Sequence, residues 1–209
     1  MAQSTRVWKE QMITIPVVGE DRVLEAVWQA GGPRGALVAP PHPLYGGSFE
    51  HPVCNELAFA FYQEGLASIR FNWRGVGASQ GQVTGDPAAA ASDYAAALAH
   101  LAETLDGPLI AAGYSFGAAV ALRVALAEPR VAALVLVAPP PSLLDPVPLE
   151  AAAKPIHVIT GGQDRLASST ELRERLRGVP GVHLSEIADA DHFFARGLPA
   201  LVDLARAAV

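Results

Sequence analysis

Apolar positions along the chain gather into short runs bounded by glycine, proline and polar clusters. "MITIPVVG" (12–19) and "RVLEAVWQA" (22–30) read as two strands joined around Gly19 to Arg22, an antiparallel start. "GALVAPP" (35–41), "GLASIRFNW" (65–73), "PLIAAGYS" (108–115), "RVAALVLVAPP" (130–140), "PIHVITGG" (155–162) and "GVHLSEI" (181–187) read as six more strands. Between them the apolar spacing turns helical over 50–64, 87–105, 116–127, 169–178 and 193–208. Pro87 is placed to begin a helix, Pro129 to stop one, and Gly178 to end another. The central runs are apolar throughout rather than alternating, as expected of parallel strands covered on both faces. Eight strands and about six helices predict an open three-layer α/β sandwich with a mostly parallel sheet. Ligands in such a sheet bind beyond the carboxyl ends of its strands.

The chain has 209 residues, enough for one domain with a substantial core. No repeat, low-complexity linker or composition shift marks a boundary, so residues 1–209 are expected to form a single domain. Half of the residues are apolar (51%) and 17% are charged, which excludes a disordered chain. The net charge of −6 comes with scattered basic residues, which argues against nucleic acid as a partner. The amino-terminal "MAQSTRVWKEQ" lacks the apolar stretch of a signal peptide, and no apolar run approaches the ~20 residues of a membrane helix. A soluble cytoplasmic protein with no membrane partner is expected. Cys54, the single cysteine, leaves no internal disulfide and no multi-cysteine zinc site. It falls inside a predicted helix and reads as a small buried apolar residue.

"GYSFGAAVAL" (113–122) carries the candidate chemistry. A lone G-x-S-x-G is weak, but here the serine falls between a buried strand and a helix, at a carboxyl end. That turn is sharp, so its neighbours at −2 and +2 must lack bulk, and both Gly113 and Gly117 do. The helix start behind Ser115 offers free N–H groups to a developing oxyanion. A serine nucleophile needs a base and an orienting acid, in the chain order Ser, acid, His in this type of fold. His42, His51 and His100 precede Ser115; His157 and His183 lie in predicted strands, where a packed core imidazole is the better reading. His192 alone falls between the last strand and the last helix. Asp164, just past the strand ending near Thr160, is the expected acid, with Asp145 as runner-up. Asp189 and Asp191 are too near His192 in sequence to reach its far nitrogen easily. The expected triad is Ser115, Asp164 and His192.

"PPHPLYGG" (40–47), "RFNWRGVGASQG" (70–81), "GYSFGA" (113–118), "GGQD" (161–164) and "ADHFF" (190–194) together resemble the α/β-hydrolases over essentially the whole chain. More narrowly, they are similar to a small cap-less group of bacterial predicted serine hydrolases. The resemblance implies an α/β-hydrolase sandwich with no cap domain, no cofactor and no metal. Many members of the superfamily carry His-Gly after the third strand, whereas this chain has His42-Pro43. Proline has no N–H to donate. The first oxyanion donor is therefore expected to be the backbone N–H of Leu44, with Tyr45 as the alternative, and the second that of Phe116. The glycines of "RFNWRGVGASQG" break the G-x-G-x-x-G spacing of a dinucleotide fingerprint, so this segment reads as a structural loop with Arg74 in an ion pair.

A lid is often inserted after the sixth strand of this fold, where this chain has only "PPPSLLDPVPLEAAAKP" (139–155). An open, shallow pocket is expected, bounded by Tyr45, Leu143, Leu144, Phe193 and Phe194. The leading expectation is hydrolysis of a carboxylic ester or related acyl compound, a thioester or peptide-like amide included. The alternatives are a non-catalytic binding protein on the same scaffold, or perhydrolase or lyase chemistry with the same triad.

Overall fold

The computed structural model describes residues 8–144 and 154–209. Eight strands form one sheet: β1 (Glu10–Pro16), β2 (Val23–Gln29), β3 (Gly35–Ala39), β4 (Ala67–Phe71), β5 (Leu109–Tyr114), β6 (Val131–Val137), β7 (Ile156–Gly161) and β8 (Val182–Ile187). Their order is β1-β2-β4-β3-β5-β6-β7-β8. The β1–β2 and β2–β4 pairs are antiparallel and every other pair is parallel. Burial explains the composition of each strand. Every residue of β3, β4 and β5 is buried, and these strands are apolar or small on both faces except at Arg70 of β4, whose guanidinium is paired with Glu10 and Asn55. The edge strands β1 and β8 are largely open to solvent and carry the polar residues.

Five α-helices are seen among the described residues: α1 (Pro52–Gln63), α2 (Pro87–Thr104), α3 (Phe116–Ala125), α4 (Ser169–Arg175) and α5 (Leu198–Ala207). Helix α1 packs against α5, and α2 against α3, on the sheet. Proline begins α1 and α2, where its missing N–H costs nothing. Ahead of Pro87, Asp86 accepts from the N–H groups of Ala88 and Ala89 at 3.3 and 3.1 Å. Ahead of Pro52, His51 accepts from Val53 through Nδ1 at 3.3 Å. The last helix is shorter than the spacing over 193–208 suggests, because Gly197 takes φ 94° and caps α5 at its start. Cys54 is fully buried in α1. No helix among the described residues is long and apolar enough to cross a membrane.

His157 and His183 require a correction. They lie in β7 and β8 as expected, but they are not core residues. They face each other across the β7–β8 register, with ring centroids 5.3 Å apart and planes at 21°. Because β8 is the outermost strand, His183 is exposed and His157 only half-buried.

The segment 70–81 is a structural loop. Gly75, Gly77 and Gly81 have φ of 71°, 57° and 98°, so each serves a turn that other residues adopt at a cost. Polar contacts hold the loop down. Arg74 donates to the fully buried Asp93 through Nη2 at 2.9 Å and through its backbone N–H at 3.0 Å. Arg22 reaches the same carboxylate at 2.8 Å. Glu25 Oε2 accepts from Asn72 Nδ2 and from the Ala78 N–H, both at 2.8 Å. Removing Asp93 takes the buried carboxylate from two guanidinium groups with little solvent around them. We expect Asp93→Ala to lower the unfolding free energy in urea by about 3–5 kcal/mol. Glu20→Ala, which removes an exposed partner of Arg22, should shift the same curve far less.

Candidate active site

Strand β5 ends at Tyr114 and α3 begins at Phe116, which leaves one residue to turn the chain. That residue, Ser115, has φ 53° and ψ −119°, a conformation unfavourable for a side chain. The turn closes tightly on both sides. A Cβ on Gly113 would lie 2.5 Å from the carbonyl of Gly117, and one on Gly117 would lie 2.3 Å from the carbonyl oxygen of Pro40. The Ser115 N–H donates to Val137 at 2.8 Å, which ties the elbow to the end of β6.

His192 and Asp164 arrive from other strand ends. Ser115 Oγ lies 3.0 Å from His192 Nε2, and His192 Nδ1 lies 2.8 Å from Asp164 Oδ2. The other carboxylate oxygen of Asp164 accepts from the N–H groups of Leu166 and Ala167 at 2.8 and 2.7 Å. Burial by itself would raise the Asp164 carboxyl, but the His192 ring and these two N–H groups outweigh it. The net effect holds the carboxyl below its ordinary value. Gly161 and Gly162 explain how the Asp164 turn reaches the histidine loop. A Cβ at either would run into the carbonyl oxygens of Ala190 or Ala188, at 2.3 and 2.7 Å. Asp191 points elsewhere and accepts from the Ala195 N–H at 3.1 Å. Asp145 lies outside the described residues.

Three supporting residues escaped the sequence reading. Tyr114 Oη donates to the carbonyl oxygen of His192 at 2.7 Å, anchoring the histidine loop to the end of β5. Burial pushes its phenol far above the ordinary value and keeps it a donor. Trp73 Nε1 donates to the carbonyls of Pro40 and Pro41 at 3.2 and 3.0 Å, which steadies the loop carrying His42 to Gly47. His51 lies over the Tyr114 ring with centroids 4.7 Å apart, its imidazole lowered by burial and by nearby His192. The only signals in the sequence were adjacency for Tyr114 and the motif position of Trp73. Neither reveals a partner 78 or 32 residues away.

The expected oxyanion donors behave differently from one another. Phe116 opens α3, so its N–H has no partner one turn back. Leu44 and Tyr45 already have acceptors within their turn: His42 Nδ1 at 3.2 Å and the His42 carbonyl at 3.1 Å. Of the expected pocket residues, Tyr45 and Phe193 are exposed and Leu143 is half-buried. Leu144 and Phe194 are corrected: each is 1% exposed and belongs to the core. Phe194 meets the edge of Tyr114, with centroids 6.3 Å apart, and its φ of 52° turns it inward.

Residues 46–154 match the family described as serine aminopeptidase, S33. The chain belongs to that family. It is 27% identical over 175 residues to an uncharacterized protein of Rickettsia prowazekii, covering 76% of this chain and 71% of the other. An alpha-beta serine hydrolase homologue from Coxiella burnetii superposes with a TM-score of 0.83 at 28% identity, over 98% of this chain and 99% of its own. An α/β serine hydrolase without lid from Xanthomonas campestris gives 0.81 at 28% identity, over 96% and 94%. The fold is thus that of an α/β serine hydrolase, and no cap domain is inserted among the described residues.

The tight elbow makes a stability test specific. Gly117→Ala places a methyl group against two backbone carbonyls, so the helix must move away from β3. We expect a loss of about 1–3 kcal/mol in denaturant unfolding, whereas Ala→Gly at exposed Ala99 should cost about 1 kcal/mol or less.

Proposed function

We propose that this protein is a serine hydrolase that cleaves short carboxylic esters or closely related acyl compounds through a Ser115–His192–Asp164 triad. The observation that carries the reading is the unbroken hydrogen-bonded chain from Ser115 Oγ to Asp164, closed by the two N–H groups behind the carboxylate. In that arrangement His192 Nε2 takes the Ser115 proton while Oγ bonds to the substrate carbonyl carbon. Asp164 keeps the second ring proton on Nδ1 and stabilises the imidazolium. The N–H of Phe116, with that of Leu44 turned from His42, holds the oxyanion. Collapse of the intermediate expels the alcohol, which takes the proton from His192. Water then attacks the acyl-enzyme, with His192 again as the base, and releases the acid. The substrate is a small molecule, and neither nucleic acid nor a membrane is part of the reaction.

Ser115→Ala should abolish ester hydrolysis, by about 10⁶-fold in turnover, with almost no change in thermal midpoint. A fluorophosphonate probe should label the wild type at Ser115 and leave the variant unlabelled. Residual turnover above a few per cent would remove Ser115 from the reaction. Asp164→Asn should cost about 10⁴-fold, since an amide can favour the wrong tautomer, while Asp191→Asn should change little.

Only the neutral imidazole accepts the serine proton, so kcat/KM should rise with pH through one deprotonation. Asp164, held below the ordinary carboxylate range, stays ionised through that rise and should add no second step.

The exposure of Tyr45 and Phe193 leaves long acyl chains in water. A buried methylene is worth about 0.8 kcal/mol and a solvated one almost nothing. Across a p-nitrophenyl ester series, kcat/KM should peak between two and about six acyl carbons. An optimum at about twelve or more would contradict the open site.

A further inference from the structure

Helix α3 carries more than the elbow. Phe116, Ala119, Val120 and Arg123 stand at i, i+3, i+4 and i+7, which places them on one face of the helix. That face lines a cavity of about 70 Å³, closed on its other side by Pro87 at the start of α2 and by Ser142 and Leu143 after β6. Apart from Ser142 the other lining residues are apolar, and Arg123 is the only charged residue among those lining it. One end of the row is the residue that follows Ser115; the other, seven residues on, lies about 10 Å further along the axis. Arg123 is exposed and has no hydrogen-bonding or ionic partner among the described residues. The buried and half-buried arginines Arg70, Arg74 and Arg130, by contrast, are committed: Arg70 to Glu10 and Asn55, Arg74 to Asp93, Arg130 to three backbone carbonyls.

We propose that this cavity selects short aliphatic esters bearing a carboxylate at the end remote from the scissile bond, with Arg123 as the group that binds it. The proposal rests on the ester-hydrolase reading and narrows its substrate class. The apolar wall from Phe116 to Val120 accepts methylenes, and the guanidinium offers a carboxylate two parallel N–H donors. A free amine would meet a like charge in this cavity. The carboxylate can sit on the acid or the alcohol half of the ester, and the two are separable by choice of substrate.

The test compares monoethyl adipate with ethyl hexanoate, and 6-acetoxyhexanoate with hexyl acetate, by proton release. Each pair differs only in a carboxylate in place of a terminal methyl or its equivalent. In the wild type one charged ester should exceed its neutral partner in kcat/KM by about fivefold or more, chiefly through KM. The advantage should shrink with added salt. In Arg123→Gln the ratio should fall to about one or below, and Arg123→Lys should retain part of it. The pair that shows the preference identifies the half of the ester lying along α3. No preference in either pair, or one that Arg123→Gln leaves intact, overturns the proposal. If no ester is turned over, adipate binding is measured by calorimetry on wild type and Arg123→Gln. Binding lost in the variant keeps the cavity assignment and overturns the ester reading; equal binding, or none, overturns the cavity assignment.

Discussion

Everything at this site depends on how closely α3 can approach the ends of β3 and β5. The contact is made by backbone alone: Gly113 against Gly117, and Gly117 against the carbonyls of Ala39 and Pro40. With those two positions free of side chains, a single residue can turn from strand to helix and take the unfavourable φ of Ser115. The strain is held by packing on every side, since Ala118 is fully buried and Ala119 and Phe116 nearly so. The hydroxyl is thereby fixed relative to the sheet instead of following a mobile loop. His192 and Asp164 can then meet it from two other strand ends.

Those two residues ride on turns that are themselves tied to the sheet. Backbone contacts at Gly161 and Gly162 bring the Asp164 turn against the 188–190 segment, and the Tyr114 hydroxyl holds the histidine loop from below. The carboxylate is fully occupied: one oxygen faces His192 and the other accepts two N–H groups. A buried carboxylate with all its partners supplied keeps its charge and its orientation. On the opposite flank, Trp73 performs the same service for the prolines leading to His42. The loop bearing Trp73 is in turn held by Asp93 between Arg22 and Arg74. Distant polar contacts and the Ser115, His192 and Asp164 side chains therefore form one connected structure.

The substrate side is built differently. Phe193 and Leu166 stand in solvent on the histidine and aspartate loops, and Tyr45 beside His42, whereas Leu144 and Phe194 have turned into the core. Beside the elbow, a narrow cavity runs along α3. On the proposed reading, a site of this shape would discriminate by what lies within a few atoms of the scissile carbonyl and by charge at the Arg123 end of that cavity.

Sequence by itself determined the eight strands, the elbow and the chain order of serine, acid and histidine. Those features are local: apolar runs, Pro87 at a helix start, and two glycines flanking one serine each act within a few residues. The strand pairing also leaves a local trace, because strands buried on both faces are mostly apolar, and the exception, Arg70 in β4, is paired. Tertiary structure decided what depends on partners far along the chain. His157 and His183 looked like core imidazoles because each sits in an apolar run, yet β8 is an edge strand and its His183 stays exposed. Phe193 and Phe194 are adjacent and identical in type, and only the positive φ of Phe194 sends one inward and leaves the other in water. Asp164 was separated from its rivals by position, but its hold on His192 comes from a 28-residue separation closed by glycine-to-carbonyl contacts. The roles of Tyr114 and Trp73 could not be read at all, because a hydrogen bond to a backbone carbonyl leaves no trace in the identity of the residue that accepts it.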